Sequence, residues 1–167
     1  RPKRVIRPGE RALHALRDRG VEYVEVRLMD LDPFHAVGIT AGTMHFLDTF
    51  LLHCLLADSP PDSPAQIAAI SRNQRRVAES GRDPLTRLDR DGRNVAPTEW
   101  GGELLEQFEP IGAALDEAHG GTRYGEVLAA ARRSLRDPSV LPSARVLHET
   151  QRAYAEINEF EQELVEH

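Results

Sequence analysis

Hydrophobic and polar residues alternate with period two between positions 21 and 30. Elsewhere the apolar positions recur mostly every three to four residues. In the alternating stretch Glu22, Val24, Val26 and Leu28 fall on one side. Tyr23, Glu25, Arg27 and Met29 fall on the other. The β-branched valines and the tyrosine suit a pleated surface, so the pattern predicts a strand over 21–30. Ahead of it, Ala12, Leu13 and Leu16 sit at helical spacing over 10–19, and Gly20 is the stop. Residues 1–7 alternate loosely and read as an extended segment or strand, broken by Pro8 and Gly9.

Downstream the helical period dominates. Over 43–57 Met44, Leu47, Leu51, Cys54 and Leu55 form a stripe that Phe46 and Phe50 widen. A helix apolar over so much of its surface is expected at the centre of the fold. Three prolines mark 59–64 as a connection, and Pro64 opens a helix that runs to Ser80, with Gly81 as its stop. Residues 82–97, with Asp-Pro and Asp-Gly pairs, predict a loop or short hairpin. Thr98 is the expected N-cap of a helix carrying Leu104, Leu105, Phe108, Ile111 and Leu115, which Pro110 should kink or split. Gly120-Gly121 separates it from a helix over 122–135. A turn over 137–142 leads into a last helix, polar on most sides, over 143–165. The sum is an α+β chain, mostly helical, with one or two strands. A single strand cannot make a sheet, so it needs neighbours from elsewhere.

Charge narrows the function. The 167 residues carry a net charge of −6, against a general nucleic-acid binder. The acidity is concentrated at the end, with six glutamates and one arginine over 149–167, while residues 1–40 are net basic. A basic wall suits phosphate or carboxylate ligands, and equally it covers a solvated face. One cysteine excludes a disulfide framework and a cysteine-rich zinc site. No run of 18 apolar residues suggests a membrane span, and no signal peptide is visible, so the expected location is the cytoplasm. There is no phosphate-binding glycine loop. The seven histidines lack ligand spacing, and Asp30 and Asp32 read as turn residues rather than metal ligands.

Glu25 and Arg27 are the residues whose placement suggests chemistry. Side chains two apart on one strand face lie about 7 Å apart, so an acid and a guanidinium project together with Tyr23 beside them. By pattern alone they are either a solvated ion pair or one wall of a polar pocket.

Several segments together carry a resemblance. They are Arg1-Pro2-Lys3-Arg4, Arg7-Pro8-Gly9-Glu10-Arg11 and Gly20-Val21-Glu22-Tyr23-Val24-Glu25-Val26-Arg27. Phe46-Leu47-Asp48 follows, running into Cys54-Leu55-Leu56-Ala57-Asp58-Ser59-Pro60. The others are Asn73 to Val77 with Gly81-Arg82-Asp83-Pro84, and Asp137-Pro138 with Leu141-Pro142-Ser143-Ala144-Arg145-Val146-Leu147. In this order and spacing they resemble the C-terminal part of bacterial glutamate–cysteine ligase. The resemblance covers residues 1–149 as part of a catalytic domain and leaves 150–167 as an unmatched acidic helical tail. It implies a glutamine synthetase-like fold for the whole enzyme, with ATP and Mg²⁺ as cofactors and L-glutamate and L-cysteine as substrates. It implies Glu25 as a metal ligand and Arg27 as the catalytic residue facing the transferring phosphoryl group and the substrate. Tyr23 would join Arg27 in binding substrate or nucleotide, and Arg1, Lys3 and Arg4 would line the nucleotide side. The chain begins without a methionine, and the family's other metal carboxylates lie upstream. A piece inactive alone, with the N-terminal part of the enzyme as its partner, is therefore expected. Two other readings stay open: a helical interaction or regulatory module without catalysis, and a related carboxylate–amine ligase with a different acceptor.

Overall fold

The computed structural model describes residues 1–27 and 29–165, with 159–165 as backbone only. Leu28, assigned above to the apolar side of the strand, lies outside the described residues, as do Glu166 and His167. The chain forms two compact units, Arg1–Asp32 and Pro33–His167.

In the first unit strand β1 (Pro2–Lys3) pairs antiparallel with β2 (Tyr23–Val24), Pro2 opposite Val24 and Lys3 opposite Tyr23. The Glu25 N–H donates to the Arg1 carbonyl at 2.9 Å, and the Glu22 N–H to the Lys3 carbonyl at 2.9 Å. Helix α1 (Ala12–Arg19) lies between the strands in sequence, with Ala15 fully buried. Gly20, at φ 73°, ends it in the left-handed region that glycine tolerates best. Around the Pro8-Gly9 turn the Glu10 carboxylate accepts from the Arg7 N–H at 2.8 Å and from Arg19 at 2.6 Å. Arg4 reaches the Gly20 carbonyl at 2.6 Å, which stitches the opening segment to the end of α1. The ten-residue strand expected over 21–30 is corrected to a two-residue ladder. Its partner β1 is equally short and contains Pro2, which has no N–H to donate.

The second unit is helical: α2 (Ala41–Leu56), α3 (Pro64–Ser80), α4 (Pro97–His119), α5 (Arg123–Arg136) and α6 (Pro142–Val165), with a 3₁₀ turn at Pro138–Val140. A hairpin, β3 (Leu88–Arg90) and β4 (Arg93–Val95), turns through Asp91 and Gly92. Their φ values of 52° and 79° meet the demand of a two-residue hairpin turn, and the Asp-Gly pair supplies them. Asn73 of α3 brackets Asp89 of β3, donating to its carbonyl at 2.8 Å and accepting its N–H at 2.9 Å. The capping box Ser63/Gln66 starts α3.

The core lies where α2, α4 and α5 meet. Leu105, Phe108 and Leu128 are buried, with Phe46, Leu104, Ala131 and Leu135 packed around them. Rings of Phe46 and Phe50 stand edge-on to Phe108 at 6.0 and 6.1 Å. Four expectations change. The helix at the centre is α4 rather than α2, whose Met44, Leu55 and Leu56 stay exposed. Helix α4 begins at Pro97 with Ala96 as N-cap instead of Thr98, since proline at N1 loses no hydrogen bond. It also runs unbroken through Pro110. Among the described residues four short strands in two antiparallel pairs stand where one or two were expected. The mostly helical α+β character holds.

Candidate active-site segment around Glu25 and Arg27

The geometry of the candidate residues follows from the β1–β2 register. Setting Lys3 opposite Tyr23 carries the lysine side chain across to Glu25. The Glu25 Oε2 lies 3.2 Å from Lys3 Nζ, and its Oε1 accepts from the Arg27 guanidinium at 2.8 Å. The acid thus sits between two cations, one from each extended segment. Glu25 and Arg27 project together, as the alternation requires, although Arg27 lies beyond the paired residues. Arg1 enters through its backbone, which pairs with that of Glu25. Tyr23 stands opposite Lys3, about half exposed.

The electrostatics are one-sided. The Arg27 hydrogen bond, then that from Lys3, holds the Glu25 carboxyl down to about 2 from an ordinary 4.5. Glu25 in turn raises the Arg27 guanidinium above its usual value. The carboxylate is therefore ionised at every physiological pH, as an oxygen ligand for a hard cation must be. Its Oε2 is covered from solvent and faces the Lys3 ammonium at 3.2 Å. That donor suits magnesium. Among the described residues, however, no three carboxylate, histidine or cysteine side chains come together as a metal-binding group.

The Lys3–Glu25 contact joins residues 22 apart in sequence. Its only signal lay in the register of the two short strands, which a local reading does not reveal. A second acid, Glu22, accepts the Val5 N–H at 3.1 Å and approaches Arg4 at 3.9 Å, and so has a role in holding the loop.

An acid clamped by a lysine and an arginine is a polar arrangement of the kind found where anionic substrates are handled. Residues 1–77 match the glutamate–cysteine ligase family. The glutamate–cysteine ligase of Alcanivorax borkumensis is 43% identical over 149 residues, covering 89% of this chain and 28% of that protein. That of a Janthinobacterium strain is 46% identical over 151 residues, covering 90% and 29%. A crystal structure of glutamate–cysteine ligase from Francisella tularensis in complex with AMP superposes with a TM-score of 0.81 at 32% identity, covering 90% of this chain and 30% of that one. The resemblance to bacterial glutamate–cysteine ligase read from the sequence is thereby shown. The chain spans a little over a quarter of the length of these curated relatives. Among the described residues no helix is long and apolar enough to cross a membrane.

Proposed function

We propose that this chain supplies one wall of a ligase active site that joins the γ-carboxylate of L-glutamate to the amine of L-cysteine at the expense of ATP. The observation that carries the reading is the family match over residues 1–77, which contains the clustered Lys3, Glu25 and Arg27. The AMP bound by the Francisella relative supports an adenine nucleotide as the phosphoryl donor.

In the first step a glutamate γ-carboxylate oxygen attacks the γ-phosphorus of ATP, ADP departs and an acyl phosphate forms. The cysteine amine then attacks the acyl carbon, phosphate leaves and the amine gives up a proton. Charge spreads over phosphoryl oxygens in the first step, where the planar, permanently charged Arg27 stabilises it. Tyr23, Lys3 and Arg1 line the nucleotide side. Glu25 would hold magnesium through one carboxylate oxygen, and the remaining ligands would come from the N-terminal part of the enzyme. Bound magnesium supplies charge neutralisation along the phosphate chain. Lys3 and Arg27 keep the carboxylate ionised and oriented. The reaction is placed in the cytoplasm.

The test is recombination with the upstream part of a related ligase. ADP release should require glutamate and should be accelerated by cysteine more than by other amines. Glutamate-dependent release indifferent to the amine would assign a different acceptor. Absence of turnover in every combination, with both parts folded, would remove the ligase reading in favour of a non-catalytic module.

A further inference from the structure

The face that carries Lys3, Glu25 and Arg27 rests on little backbone. Its ladder pairs two residues with two, and the N–H groups of Glu22 and Glu25 add one bond each, to the Lys3 and Arg1 carbonyls. A two-stranded ribbon of that length does not hold itself together in water. A slip of one residue would carry Lys3 to the side away from Glu25 and leave the carboxylate with Arg27 alone. Groups outside the ladder must therefore fix its register.

Glu22 is placed to do so. It lies three residues before Glu25, an odd separation, so the two acids project from opposite sides of the extended chain. Its Oε2 accepts the Val5 N–H at 3.1 Å. Val5 stands two residues beyond Lys3, where β1 has already ended. The Glu22 carboxylate thus takes the place of the carbonyl that a longer partner strand would offer. The Val5 carbonyl is held in the same manner by Arg19 of α1 at 3.0 Å, and Arg19 is itself bound by Glu10 at 2.6 Å. Arg4 closes the arrangement, donating to the Gly20 carbonyl at 2.6 Å and lying 3.9 Å from Glu22. Both main-chain groups of Val5 are spent on side chains of the segment that leads into β2. An acid on the valine side of the alternation is out of pattern, and the Val5 bond is what it does there.

We infer that Glu22 is a positioning residue: by capturing the Val5 N–H it fixes the β1–β2 register that brings Lys3 onto Glu25 beside Arg27. What that face does rests on the ligase reading, whereas the latch itself rests on geometry.

Amide hydrogen exchange of the full chain, read beside a magnesium titration of the enzyme recombined with its upstream part, tests this. Glu22→Ala should speed exchange at position 22 and at Glu25 at least tenfold, each corrected for its intrinsic rate. Exchange at Ala15, buried in α1 with its N–H on the Arg11 carbonyl, should stay as it was. Glu22→Gln retains an oxygen acceptor and should keep the parent's exchange. Val5→Pro removes the donor and should reproduce Glu22→Ala, and the two together should do no more than either alone. In the recombined enzyme Glu22→Ala and Val5→Pro should raise the magnesium concentration for half-maximal ADP release, and Glu22→Gln should return it to the parent's value. Unchanged exchange at Glu25 in Glu22→Ala overturns the inference. Loss of Ala15 protection along with it does so too, since Glu22 would then hold the fold in general. A Gln variant as impaired as the Ala variant, or a magnesium midpoint unmoved by the lost protection, also overturns it. A parent without turnover would strike the ligase reading, and the exchange rates would still decide the latch.

Discussion

Two glycines of α4 give a comparison in which packing alone sets the sign. A glycine inside a helix costs about 0.5–1 kcal/mol relative to alanine, so Gly→Ala should stabilise wherever there is room. At Gly102 a new Cβ would meet nothing within 4 Å, and Gly102→Ala should raise stability by about that amount. At Gly112 the same methyl would sit 2.9 Å from Leu128 Cδ1 and 3.7 Å from Tyr124 Cβ. Leu128 is only 4% exposed and lies in the cluster with Leu105 and Phe108, so it cannot swing aside without disturbing α4–α5 packing. Overpacking of this kind costs about 1–3 kcal/mol, which outweighs the propensity gain and leaves a net loss of about 1–2 kcal/mol. For a chain of this size that lowers Tm by about 2–8 °C. Thermal melting followed at 222 nm, beside Gly102→Ala as the open-space control, measures both. A Gly112→Ala protein as stable as the parent would refute the close approach of α4 and α5 on which the core depends.

Further outcomes follow from single contacts. Asp116 of α4 accepts the N–H groups of Tyr124 and Gly125 at 2.9 Å each, capping α5 where Thr122 makes no cap. Asp116→Ala should cost about 1–2 kcal/mol in urea unfolding, and an unchanged midpoint would contradict the capping. Phe108, 2% exposed, should cost about 3–5 kcal/mol when cut to alanine, read in the same way. Since the folded pKa of Glu25 is depressed, its contribution is complete above about 4.5. It drains away as pH falls towards 2. Carboxyl NMR titration should show Arg27→Ala raising that pKa more than Lys3→Ala does, in keeping with the order of their effects.

Elements closed by local chemistry were legible from sequence. Gly20 ends α1, Pro64 and Gly81 bound α3, and Gly120-Gly121 divides α4 from α5, because each residue acts on the backbone where it stands. The Asp91-Gly92 turn was legible for the same reason. Extent and rank were not. Alternation over 21–30 reports a preference, but the ladder goes only as far as a partner follows, and β1 offers two residues. The apolar surface of α2 suggested a central helix, yet hydrophobicity says that a face needs cover and not what covers it. Helix α4 took the centre because Gly112 and Gly101 let α5 approach closely through Leu128 and Leu135. At the candidate site the Glu25–Arg27 pair lay within one alternating stretch and could be read from period two. The Lys3 contact waited on register.

The roles given to Glu25 and Arg27 are separable in the recombined enzyme by titrating magnesium at saturating ATP and glutamate. Glu25→Gln should raise the magnesium concentration for half-maximal ADP release at least tenfold. Arg27→Ala should leave that midpoint in place and lower the maximal rate. Identical magnesium midpoints for Glu25→Gln and the parent would contradict the assignment of Glu25 as the metal-binding acid of this segment.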